Sequence, residues 1–205
     1  MRFALFLSLL LMASGLRAEV WLPGYKLLHR DASPKKSFWI EHHGTISADD
    51  FRTQVWLVGV HDRNERHILF QPDDIDARYD PDILISPDEK WLVRTQKRGS
   101  DEIYSALYRR RDGLTFKETP GLQDKAWRFL ALSLGLAPSR VPPHHRYMSC
   151  IRWVGPTQFI LLLWGSNCPD YGLDDWRCVY DVQSGQFSVP KKFAGRNRRA
   201  LLGCH

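Results

Sequence analysis

After its N-terminal segment the sequence has no long apolar run. FILLLW, Phe159 to Trp164, is only strand-long, whereas a helix that crosses a bilayer needs about 20 apolar residues. The patterns that carry common chemistries are missing too. There is no G-x-S-x-G nucleophile elbow, no H-E-x-x-H zinc helix and no phosphate-binding P-loop, which removes those routes to hydrolysis and phosphoryl transfer. No Cys-x-x-Cys pair occurs, so a structural zinc site built on thiolates is disfavoured. A broad basic face is also lacking. Arg2, Arg17, Lys191, Lys192, Arg196, Arg198 and Arg199 alone exceed the formal surplus of +6, which leaves the body of the chain close to neutral. Nucleic acid is therefore a disfavoured partner.

What is present begins with Arg2, an apolar stretch from Phe3 to Ala13, and then Ser14, Gly15, Leu16, Arg17 and Ala18. Charged, apolar and small residues in that order are read by the export machinery, so residues 1–18 are expected to be a signal peptide cut after Ala18, and the mature chain to be periplasmic or secreted and soluble. The remainder, 19–205, has the length of one domain. Its four cysteines all lie in the C-terminal part, and an oxidising compartment favours disulfides. Three pairings are open to four cysteines. Cys168 and Cys178 flank a single loop-like stretch, NCPDYGLDDWRC, so the expected bridges are Cys168–Cys178 and Cys150–Cys204.

ILISPDEKWLVRTQK, Ile83 to Lys97, reads as a strand, a turn with Pro87 in its second position, and a second strand whose residues alternate, Trp91, Val93 and Thr95 on one face and Leu92, Arg94 and Gln96 on the other. SALYRRRDGLTF continues it with an Asp112-Gly113 hairpin signal. The order recurs in IRWVGPTQFILLLWG and RCVYDVQSGQFSV, where Tyr108 matches Tyr180 and Gly113 matches Gly185 at one offset of 72. A weaker copy, SFWIEHHG with QVWLVGVHDRNERHILF, comes first. The reading is mainly β, with three blade-like antiparallel meander units at about 19–70, 83–117 and 148–190. ISPDEKWLV resembles the Ser-Pro-Asp-Gly turn of β-propeller blades of the Tol-pathway and prolyl oligopeptidase type, with Glu89 where those blades carry Gly. The resemblance implies blade-like sheets and no chemistry. Closed propellers use at least four blades, so three units imply an incomplete propeller-like array or a collapsed sandwich. Closure by a second chain is left open, as is the oligomeric state.

Between the second and third units, Thr119-Pro120 suits a helix start and LQDKAWRFLALSLGL an apolar helical face ending at Gly135, so one helix is expected near 120–135. It is followed by a Pro-rich loop within 119–149. There His144, His145, Arg146 and Tyr147 are candidate binding residues. Asp74, Asp76 and Asp80 in QPDDIDARYDPD are lesser metal candidates, because the spacing is not that of an EF-hand. Neither a metal nor any other cofactor is expected. His42 and His43 should alternate across a strand, which sets them poorly for chelating one ion. Lys191, Lys192, Arg196, Arg198 and Arg199, in the basic tail 191–205, are candidates for a polyanion surface. The eight tryptophans are expected to fill between sheets, with Trp21 and Trp176 in loops. Together these features favour an exported, non-catalytic binding or scaffold domain whose partner is a protein or a cell-envelope component. The alternative is a hydrolase or metal-dependent enzyme assembled from Asp76, Asp80, His144 and His145.

Overall fold

In the computed structural model, which describes residues 24–45, 51–70, 78–137, 145–167 and 171–202, the turn inside ISPDEKWLV closes through a hydrogen bond from the Glu89 amide to the Ser86 carbonyl (2.9 Å). Ser86 Oγ donates to Asp88 Oδ1 and accepts from the Trp91 amide, so the polar turn residues tie off the ends of the two strands they join. The strands are β5 (Asp82–Ile85) and β6 (Trp91–Arg98), followed by β7 (Glu102–Arg110) and β8 (Phe116–Thr119), all antiparallel. Before them run β1 (Lys26–Ala32), β2 (Phe38–Gly44), β3 (Thr53–Gly59) and β4 (Arg66–Phe70), a four-stranded meander. After them come β9 (Arg146–Trp153), β10 (Gln158–Asn167), β11 (Tyr171–Asp181) and β12 (Gln186–Ser188). The protein is thus mainly β, with antiparallel sheets and, among the described residues, no closed barrel.

The three units stack face against face. Phe38, Ile40, Val55 and Leu57 of the first pack on Ile85, Leu92, Ala106 and Tyr108 of the second. The other face of the second unit, Val93 and Leu107, packs on Met148, Phe159, Leu161 and Tyr180 of the third. Alternation along each strand makes this possible, because successive side chains serve successive interfaces. Tyr108 and Tyr180 hold equivalent places, each on the third strand of its unit, each facing the unit before it, and each with its hydroxyl pKa raised by burial. A short parallel ladder, Glu102 with Arg146 and Ile103 with Tyr147, joins the second and third units by backbone.

Helix α1 (Leu122–Ser133) is the inserted helix. It buries Leu122, Ala126, Trp127 and Leu130 in the core shared by the second and third units. Its N-cap is Gly121, at φ 83°, and not Thr119. Thr119 is instead the last residue of β8, held opposite Leu107, and that pairing overrides its capping tendency. At the other end Gly135, at φ 64°, lets the Leu136 amide reach the Ala131 carbonyl, the closure expected of a helix-ending glycine. A second helix, α2 (Lys191–Arg199), occupies what the sequence suggested was a tail. Phe193 sets it on Ile160 and Val179, the outer face of the third unit. Asn197 fixes it further by accepting from the Arg177 amide (2.9 Å) and donating to the Arg177 carbonyl (2.8 Å). A two-residue strand, β13 (Leu201–Leu202), then pairs with β11.

The stretch NCPDYGLDDWRC is not a loop. β10 runs to Asn167 and β11 starts at Tyr171, so most of the stretch is strand, and Trp176 is buried in the core. Among the described residues no disulfide is formed. Cys178 is a buried free thiol opposite Leu161, and Cys150 is a buried free thiol on the other side of the same Leu161. Cys168 and Cys204 themselves lie outside the described residues, as do the expected signal peptide, Trp21 and the Pro-rich segment 138–144.

Candidate functional site

The first strand of each unit contributes to one polar cleft of about 350 Å³: β1 through His29 and Asp31, β5 through Asp82, Ile83 and Leu84, and β9 through Cys150 and Ile151. His42 of β2 and Asp80, just before β5, complete its wall. His42 points into this interface because Ile40 and His42 share the inward face of β2, while Glu41 and His43 share the outward one. The adjacent histidines do alternate, as expected. Both are nevertheless buried, at 2% exposure each.

His42 Nδ1 lies 2.7 Å from Asp80 Oδ1, and His29 Nδ1 lies 3.7 Å from Asp80 Oδ2. The two imidazole rings stack with centroids 3.9 Å apart. One ligand atom from each of His29, His42 and Asp80 falls within 4.8 Å of the others. A tetrahedral zinc ion with bonds of about 2.1 Å separates its ligand atoms by roughly 3.4 Å, so a shift of about an ångström closes the set around an ion. The Cys150 thiol shares the cleft, but burial pushes its pKa up, which keeps it a neutral thiol and a poor ligand.

His29 reaches this face because of an irregularity. Leu27 pairs with His43, and the next pair is His29 with His42, so Leu28 is the extra residue of a β-bulge. Without the bulge His29 would stand opposite Glu41, on the outer face. Bulges re-aim side chains in this way, often beside functional sites. The pairing of His29 with His42 was therefore missed from sequence, where the two lie thirteen residues apart with no spacing signal. A histidine near one end of the hairpin and a His-His pair near the other was the only trace.

The described candidates named from sequence do not come together. Of Asp76, Asp80, His144 and His145, only Asp80 and His145 are described, and they keep different company. Asp80 meets His42 and His29, whereas His145, half-exposed at φ 50°, lies beside Asp101 and the Tyr147 hydroxyl. Asp74, Asp76 and His144 lie outside the described residues. Arg146 lies in the β7–β9 ladder. Tyr147 donates to the Ser100 carbonyl (2.7 Å) and stacks on Trp164, so it anchors the start of β9. Lys191, Lys192, Arg196, Arg198 and Arg199 stand exposed on α2, with Arg196 held by Asp175.

No protein-family model matches the chain, and no curated protein is similar to it. Among solved structures it is similar to TolB from Acinetobacter baumannii, at 11% sequence identity and a TM-score of 0.39, over 80% of this chain and 32% of that one.

Proposed function

We propose that this protein is an exported, non-catalytic domain that binds a divalent transition-metal ion in the cleft between its units. The observation that supports this reading is the convergence of His29 and His42, carried by the first unit, with Asp80, carried by the approach to the second. Two imidazoles and one carboxylate suit zinc, copper(II) or nickel, whereas calcium and magnesium select all-oxygen sites. His42 is held with its ring against a carboxylate and its side chain only 3% exposed, so its orientation is fixed before an ion arrives. His29 and Asp80 are more open and leave a solvent side from which an ion can enter. Export rests on the order of residue types at the N-terminus.

The test is direct binding by the untagged mature chain. Metal analysis and calorimetry with zinc are expected to give one ion per chain. His42→Ala should weaken binding at least a hundredfold and Asp80→Ala at least tenfold, while His61→Ala, an exposed histidine away from the cleft, should leave it unchanged. A folded, metal-free protein that takes up no zinc, copper(II) or nickel at micromolar concentration would refute the proposal.

A further inference from the structure

The outer face of the first unit is the end of the stack opposite α2, and its composition is unusual. Gln54, Trp56 and Val58 of β3 share it with Glu41 and His43 of β2 and Arg30 of β1. Trp56 and Val58 are buried, yet neither belongs to any hydrophobic cluster among the described residues. Polar groups are embedded among them. Glu41 accepts from Arg30 Nη2 (2.5 Å) and lies 3.0 Å from His43 Nε2. Over this face opens a cavity of about 490 Å³, with Arg63 and Arg66 at its rim and Leu27, Val58 and Tyr25 along its walls.

Several buried atoms here make no hydrogen bond: both amide atoms of Gln54, Trp56 Nε1 and Arg30 Nε. Folded proteins leave few such groups, because each forfeits its bonds to water without compensation. Of these groups only Arg30 lines the cavity; Gln54 and Trp56 are fully buried beneath the face. The cavity is lined by the guanidiniums of Arg30, Arg63 and Arg66 against the single carboxylate of Glu41, a surplus of positive charge that suits a negatively charged head, and the apolar walls suit a non-polar body. A cavity of this volume accommodates a small molecule.

We propose that this face is a second binding site, for a small organic anion whose carboxylate or comparable head is met by Arg30, Arg63 and Arg66 and whose apolar part lies against Val58 and Leu27. It is independent of the metal cleft, since His42 points to the opposite side of β2. The probe pair is N-acetylphenylalanine and its neutral amide, titrated calorimetrically into the full mature chain in the presence of EDTA. The carboxylate is expected to bind at least tenfold more tightly than the amide and to be displaced poorly by inorganic sulfate. The double substitution Arg63→Gln, Arg66→Gln, at two exposed positions, should weaken it at least tenfold with an unchanged circular dichroism spectrum. His42→Ala should bind it like the wild type. Equal affinities for the two probes, no binding of either to the folded protein, or indifference to the double substitution would each overturn the proposal.

Discussion

Glu89 shows how one side chain can reverse a local rule. Its backbone has φ 62°, a conformation that costs a non-glycine residue about 1 kcal/mol, and glycine is the residue that propeller-type turns put there. The side chain accounts for the exchange. Its carboxylate, 2% exposed as a residue, accepts from the Lys35 amide (2.7 Å) and the Ser37 hydroxyl, and Arg110 lies 3.6 Å away. Ser37 and Lys35 belong to the turn between β1 and β2, so Glu89 fastens the first unit to the second. Burial by itself would raise its pKa, but the hydrogen bonds from Ser33, Ser37 and Lys35, together with the charge of Arg110, carry it below the ordinary glutamate value. A carboxyl lowered in the folded state stabilises it fully above the ordinary range, near pH 4.3, and that contribution is lost as the pH falls through the lowered value. Charge-assisted bonds are worth about 1.5–3 kcal/mol each, more than the backbone strain. Glu89→Gly should therefore destabilise by about 2 kcal/mol at pH 7 in urea titrations despite relieving that strain, and Glu89→Gln should flatten the loss of stability below pH 4. A Glu89→Gly protein more stable than the wild type would show that strain outweighs the contacts. The Ser-Pro-Asp turn was legible in the sequence because turn chemistry is local. The partners of Glu89 were not, since Ser37 is 52 residues away.

At the scale of elements, the strands and their alternation were readable, and the irregularities that decide the site were not. Nothing in KLLHRDA marks Leu28 as the bulged residue, yet the side on which His29 emerges depends on it. Deleting Leu28 removes the extra residue and should give a regular β1–β2 ladder that still sets His29 opposite His42, so zinc affinity should stay close to that of the wild type, whereas His29→Ala should lower it at least tenfold. Calorimetry alongside a circular dichroism check reads this out; a folded deletion variant that binds zinc as weakly as His29→Ala would show that the bulge itself, beyond the pairing, presents His29. The same limit explains the cysteines. Flanking a polar stretch suggested a hairpin loop, but the stretch alternates well enough to continue β11, and Cys178 is thereby carried into the core. Likewise β8 claimed Thr119 from the helix it seemed to cap.

For the molecule as a whole, the offset of 72 between the second and third units was a faithful guide: equivalent tyrosines face equivalent directions. What the repeat could not convey is how the series ends. The outer face of the third unit, Ile160 and Val179, matches the face of the second unit that packs on the third, and there α2 lays Phe193 where a further unit would sit. Stacked repeats need such caps, because an exposed terminal face invites association. Phe193→Ala should cost about 3 kcal/mol and promote self-association, visible as concentration-dependent species in sedimentation velocity. A variant that stays monomeric and fully stable would show that α2 is not a cap.

The short ladder between β7 and β9 gives the assembly a mechanical asymmetry. Backbone bonds weld the second and third units into one sheet, whereas among the described residues the first unit meets them through side chains, chiefly the packing of Phe38, Ile40, Val55 and Leu57 on the second unit and the Glu89 clasp. The first unit is thus the one joined to the rest without backbone bonds, and the cleft holding His29 and His42 on one side and Asp80 on the other lies across that join. An ion seated there would act as a latch.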